Sequence, residues 1–142
     1  MNTSNEVYFS SLLKTDYPKV YRAIVDVLDR HSIKHGLLES TRDYWCRDYM
    51  PVQSGFHDYI QFVYHPDYLK KERQYETDST TVFDNAQALT GIAPTSSHLI
   101  ADGGNFTFCR SREGKPVIVM TEKIFAENPS CSREEVISEL RV

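Results

Sequence analysis

Two segments concentrate carboxylates beside turn-forming and aromatic residues: STRDYWCRDYMP at 40–51 and ADGGNF at 101–106. The first nearly repeats itself, with Arg42-Asp43-Tyr44 followed five residues later by Arg47-Asp48-Tyr49 and with Trp45 and Cys46 between them. Aspartates in this setting either grip a cationic group or pair with the neighbouring arginines at the surface. The spacing separates the two. In a strand, an odd offset sends Asp43 and Asp48 to opposite faces; in a helix, five residues turn the chain by about 500° and leave them well over 90° apart. No regular element aims both at one target, so chemistry here would rest on one of the pair.

Other reactive side chains offer less. His65-Pro66-Asp67 sits where Pro favours a strand-ending turn. His31 and His35 have the i, i+4 spacing of a helical metal pair. However, Ser32 and Gly36 point to a helix ending there, and no third ligand is evident. Cys46 lies two residues from Asp48, whose charge disfavours a thiolate. Cys109 falls in an expected strand, where a free Cys is usually a small buried hydrophobe, and Cys131 immediately precedes an expected helix. None of the three is a good nucleophile candidate.

The elements that must position these residues can be read from periodicity. EVYFSSLL (6–13) reads as a short strand. Asp16 before Tyr17-Pro18 looks like a helix N-cap, and Val20, Ile24, Val27 and Leu28 form an apolar stripe to about His31. HGLLES (35–40) reads as a buried strand with the repeated RDY stretch as the loop leaving it. FHDYIQFVYH (56–65) alternates, placing Ile60, Phe62 and Tyr64 on one strand face, and 66–78 is a long polar connection. A second helix over 79–90 is closed by Gly91 and Pro94. SHLIA, FTFCR and VIVMT read as strands separated by the turns DGGN and SREGKP. A short helix near 122–127 and a capping box at Ser132 and Glu135 complete the chain. A β-α-β unit thus recurs about one and a half times.

The bulk composition narrows the class. The chain has 142 residues, most simply one domain, with 40% hydrophobic residues, 12% aromatics and a net charge of −4. This balance leaves no basic footprint for nucleic acid. The longest apolar runs, such as PVIVM at 116–120, are far too short for a bilayer, and residues 1–12 show no secretory pattern. Three cysteines without a C-x-x-C pair fit reduced thiols, so a cytoplasmic protein is expected.

In this order, Trp45, Arg47, Asp48 and Pro51, followed by Asp102, Gly103, Gly104 and Asn105, resemble the first half of the agmatine deiminase family, which includes bacterial peptidyl-arginine deiminases. VIVMTEKIFAEN (117–128) resembles the strand and helix that follow the Gly-Gly loop in that family. Met50 stands where the family usually has Gly, and Asp102 where Glu is common. The resemblance implies an α/β fold: a partial α/β propeller of the pentein type, with about two of its five β/α units, short mixed sheets and outer helices. Residues 1–142 would be the N-terminal part of such a domain.

The implied reaction is hydrolysis of a guanidine, that of agmatine (a step toward putrescine) or of an arginine-like group, to a ureido group and ammonia. It would need neither metal nor organic cofactor. A guanidinium is planar and permanently charged, and carboxylates accept its paired N–H bonds. A thiolate attacks its central carbon, an acid helps expel ammonia, and water releases the product. By resemblance, Asp48 grips the guanidinium and Trp45 walls the pocket; Asp102 orients the catalytic His, Gly103 and Gly104 shape the turn and Asn105 joins the substrate side. Arg47 and Pro51 brace the loop. The His-x-Asp and the nucleophilic Cys of the family would lie beyond residue 142, so this chain alone is expected to be inactive. The expected partner is a small guanidine substrate, with no nucleic acid and no membrane, and with self-association through strand edges as a further possibility. The alternative is a non-catalytic module that binds a guanidinium or a protein.

Overall fold

A computed structural model describes residues 6–55 and 57–141 of the chain. It is a mixed α/β structure of short sheets and helices, and no sheet closes into a barrel among the described residues. β1 (Glu6–Ser10) pairs in parallel with β2 (Lys34–Leu38), from Glu6 opposite Lys34 to Ser10 opposite Leu38. The parallel pairing requires a crossover. Two helices supply it: α1 (Ser11–Asp16) and α2 (Pro18–Arg30). The strand expected over 6–13 therefore stops at Ser10. That residue's side chain accepts the Leu12 amide and caps α1, so Leu12 and Leu13 are helical.

α2 follows the expected span with Pro18 in its first turn, but Tyr17 rather than Asp16 is its N-cap. Its apolar stripe is only half covered. Val20 and Val27 remain 50% and 44% exposed, because a two-stranded sheet cannot shield the whole face.

The second sheet joins β3 (Val52–Gln53), β4 (Tyr59–Val63) and β5 (Thr95–Ile100), with β3–β4 antiparallel and β4–β5 parallel. Phe56, counted with the β4 strand in the sequence, lies outside the described residues. The β4–β5 crossover contains α3 (Ser79–Thr90). Asp78 caps its start by accepting the Thr80 amide, and Gly91, at φ 71°, closes it in the left-handed region that glycine favours. The β4–β5 ladder shifts register between Gln61 and Val63, where two residues of β4 span four of β5. The expected shared face is divided: Phe62 enters one core cluster, with Leu99, Ala101, Phe106, Ile124 and Val136, while Tyr64, just past the end of β4, enters another, with Leu38, Tyr49, Leu69 and Val82.

β6 (Thr107–Arg110) and β7 (Pro116–Val119) form a hairpin. Two short helices follow, α4 (Lys123–Glu127) and α5 (Arg133–Glu139). The predicted capping box is present: the Ser132 side chain accepts the Glu135 amide, and the Glu135 carboxylate accepts the Ser132 amide. Cys109 is exposed on β6, not buried as its strand position suggested. His31 caps α2 and His35 lies in β2 beside Asp29, 3.1 Å away, so the two histidines do not share a helix face. No helix is long and apolar enough to cross a membrane among the described residues.

Candidate functional site

The repeated RDY stretch is two structures. Its first copy is an irregular bend; its second is a single helical turn, Cys46–Tyr49. Asp43 ends the bend by accepting the Trp45 amide at 2.8 Å, the local side-chain-to-backbone bond that short aspartates favour. Tyr49, 1% exposed, anchors the turn in the core and donates to the Asp43 carbonyl. Gln61 on β4 secures it from the other side by donating to the Tyr49 carbonyl at 3.1 Å. Asp48 is thereby held half-buried at the edge of the core. Met50 takes φ −71°, ψ 155°, an extended conformation open to any residue, and its side chain packs on the core. The chain therefore has no need of the glycine usual at that place.

The 101–106 loop meets this turn head-on. Asp102 leads into a 3-10 turn, Gly103–Asn105, and the two glycines make a close approach possible. A β-carbon on Gly103 would lie 2.0 Å from the Arg47 carbonyl oxygen, and one on Gly104 would lie 2.5 Å from Asp48 Oδ1 and 3.6 Å from Asp102 Oδ1. The Gly104 amide donates to the Asp48 carboxylate. Arg47 crosses in the other direction and donates to the Phe106 carbonyl at 3.0 Å. Asn105 accepts from the Thr121 amide and hydroxyl at 3.0 and 2.8 Å, and so ties the loop to the approach to α4.

Lys123, at the start of α4, is the hub of the region. Its ammonium lies 2.8 Å from Asp102, 3.3 Å from Glu127 and 3.6 Å from Asp67, and 4.9 Å from the centre of the Tyr68 ring. Burial opposes its charge, but the Asp102 and Glu127 carboxylates outweigh that and hold it above the ordinary lysine range. Tyr68 meets Tyr64 hydroxyl to hydroxyl at 3.1 Å, and Tyr64 donates to Asp43. Asp43, Tyr64, Tyr68, Lys123, Asp102 and Asp48 thus surround one patch.

Its electrostatics are unbalanced toward negative charge. Burial raises the Asp48 carboxyl above its ordinary range, and the Asp102 charge adds to this; the Gly104 amide, Arg47 and Lys123 oppose it. Asp43 is raised in the same sense, by burial first, with the Asp48 charge contributing. Half-buried carboxylates that repel each other are eased by a positively charged guest with several N–H donors.

Asp48, Asp102, Gly103 and Gly104 are thus brought together, with Arg47 beside them. Asp43, expected as a solvated or arginine-paired residue, is buried, and its charge acts on Asp48. Strand and helix periodicity do not apply to a bend followed by one turn, so the odd spacing does not separate the two carboxylates. Trp45 is 70% exposed. Pro51 is half-buried and leads directly into β3. His65-Pro66-Asp67 forms the expected turn: Pro66 starts a 3-10 turn and His65 pairs with Glu76 at 2.7 Å. The thiol of Cys46 is pushed up by burial first and by the Asp43 charge as well. Lys123 and Tyr68 carry no motif in the sequence, and Tyr64 is read there only as a strand-face residue. The one local signal was the i, i+4 pairing of Lys123 with Glu127 on a short helix.

No family model matches the chain, and no curated protein matches it. Among solved structures, an X-ray structure described as a "putative agmatine deiminase" superposes with a TM-score of 0.59 at 15% identity, over 96% of this chain. The chain spans 38% of the length of that protein. At this identity the likeness is one of fold: the mixed α/β arrangement described above follows part of that structure.

Proposed function

We propose that the chain is the N-terminal portion of an agmatine-deiminase-like hydrolase, folded as about two β/α units of a pentein propeller. Asp48 supplies one side of a guanidinium grip. The observation that supports this reading is the docking of Gly103-Gly104 on the Cys46–Tyr49 turn, which sets Asp48 and Asp102 around one point. The partial fold likeness to the agmatine deiminase structure agrees with it.

In the proposed reaction a thiolate attacks the guanidine carbon and the tetrahedral adduct expels ammonia. Water then releases the ureido product and restores the thiol. Within this chain, Asp48 accepts N–H bonds from the guanidinium and keeps it charged, so that its carbon stays electrophilic. Asp102 holds its neighbour in the reaction, the catalytic His, by a carboxylate–imidazole bond. Trp45 becomes a pocket wall once further protein covers it. The His and Cys are contributed from outside residues 1–142, and the setting is cytoplasmic.

The test is to express the chain in its complete reading frame and follow ammonia and ureido product from agmatine and from a peptidyl-arginine. Turnover of either that Asp48→Asn abolishes is expected. Turnover of neither, or turnover indifferent to Asp48→Asn, would overturn the proposal.

A further inference from the structure

Away from the carboxylate patch, a cysteine, a histidine and a glutamate from three different segments line up at the surface. Cys131, in the turn before α5, has its Sγ 3.9 Å from His98 Nε2 on β5. The other ring nitrogen, Nδ1, lies 3.7 Å from Glu139 Oε1 near the end of α5. That carboxylate oxygen accepts at 3.0 Å from the Ser97 hydroxyl, a buried donor that fixes its position. Glu135, one turn earlier on α5, adds a second negative charge that acts on His98. The Cys131 amide is held by the Asn128 carbonyl at 3.1 Å, and the half-buried side chain rests on the Phe62 and Val136 cluster. The sulfur is thus anchored from the core side, while the imidazole that faces it is 69% exposed.

We propose that Cys131 is a reactive thiol, a site of mixed-disulfide formation with small disulfides, with His98 as its base and Glu139 as the group that orients His98. A thiolate is the attacking species in such exchange, so a neighbouring proton acceptor sets the rate. Sγ attacks one sulfur of the incoming disulfide as its proton passes to His98 Nε2. The S–S bond of the reagent breaks, and the departing thiolate takes the proton from His98. The products are a Cys131 mixed disulfide and one free small thiol; the reagent disulfide is the oxidant.

Cys109, exposed on β6, is an internal reference. The chain is incubated with oxidised glutathione at neutral pH, and each cysteine-containing peptide is quantified by mass spectrometry. Cys131 is expected to react about five-fold faster than Cys109 or more, within the range that a neighbouring histidine commonly gives. His98→Gln brings that ratio to about one and Glu139→Gln lowers it part-way, both leaving the Cys109 rate unchanged. If His98→Gln also makes Cys46 reactive, and so has loosened the fold, His98→Asn is read by the same ratio. Equal rates at Cys131 and Cys109 in the unaltered chain would overturn the proposal. A ratio unchanged by removal of the imidazole would overturn it as well.

Discussion

Gly104 and Asp48, 56 residues apart in the chain, are in direct contact: the Gly104 amide donates to the Asp48 carboxylate, and a β-carbon on Gly104 would stand 2.5 Å from Asp48 Oδ1. The neighbouring glycine is tighter still, with 2.0 Å to a backbone oxygen. The two positions should therefore respond differently to the same substitution. In Gly103→Ala the obstacle is the Arg47 carbonyl, which cannot rotate away, so the loop must lift from the turn at a cost of about 3 kcal/mol. In Gly104→Ala the obstacle is the end of a side chain, and the Asp48 carboxylate can swing aside for about 1 kcal/mol. Urea melts of both variants measure this, and equal losses would refute the contact as described.

Asp48→Asn should stabilise the chain at neutral pH. The Asp48 carboxyl is raised from its ordinary value of 3.8, so the folded state binds its proton more tightly than the unfolded state does. By linkage, stability then falls as pH rises from the ordinary value through the raised one, and above that the whole penalty is present. Asparagine keeps an acceptor for the Gly104 amide and removes the charge. The expected gain is on the order of 1 kcal/mol at pH 7, the scale of a common stabilising substitution. The gain should vanish in acid, where the native carboxyl is neutral. A destabilised Asp48→Asn at pH 7 would show that the carboxylate is structural.

How much of this could be read from residues depends on whether the signal is local. The capping box at Ser132 and Glu135, the Asp78 cap and the Gly91 stop are local, and each marks a helix end where expected. The Leu12-Leu13 helix was hidden because EVYFSSLL is apolar at both strand and helix spacing, and a single serine decides the change. At the site, Asp48 and Gly103-Gly104 stood out by motif. Asp43 did not, because the backbone bend that turns it inward has no period. Lys123 was missed for a related reason: its partners Asp67 and Asp102 come from separate loops, and only Glu127 shares its helix.

Lys123→Met should cost about 1–2 kcal/mol at neutral pH, more than a surface ion pair and less than a fully buried one, since Lys123 is 29% exposed and Asp102 11%. The sign with pH is set by the raised lysine. Its contribution is complete below the ordinary value of 10.5 and is lost as pH rises through the higher folded value. Tyr49 and Tyr64 are also raised and also weaken the fold in strong alkali, so the informative quantity is the difference between the two proteins. That difference should stay constant from neutral pH to about 10 and shrink above it. A constant difference through the alkaline range would place the role of Lys123 in its alkyl stem, not its charge.

The 142-residue chain by itself is expected to release no ammonia from agmatine. Turnover requires a thiol beside the bound guanidine carbon with a proton acceptor at hand. Cys46, the cysteine nearest Asp48 in sequence, has its thiol raised by burial and hydrogen-bonded to Tyr49 at 3.2 Å, away from the attacking form. Cys131 faces His98 across the β5–α5 seam, and Cys109 is exposed on the β6–β7 hairpin. Under the proposed function, Asp48 contacts a guanidinium from one face only, which would hold it weakly. Calorimetry with agmatine should accordingly give no saturable heat. Ammonia release from the isolated chain that disappears in Asp48→Asn would mean that one of these three thiols reaches the carboxylate patch, and the assignment of the nucleophile to another segment would fall.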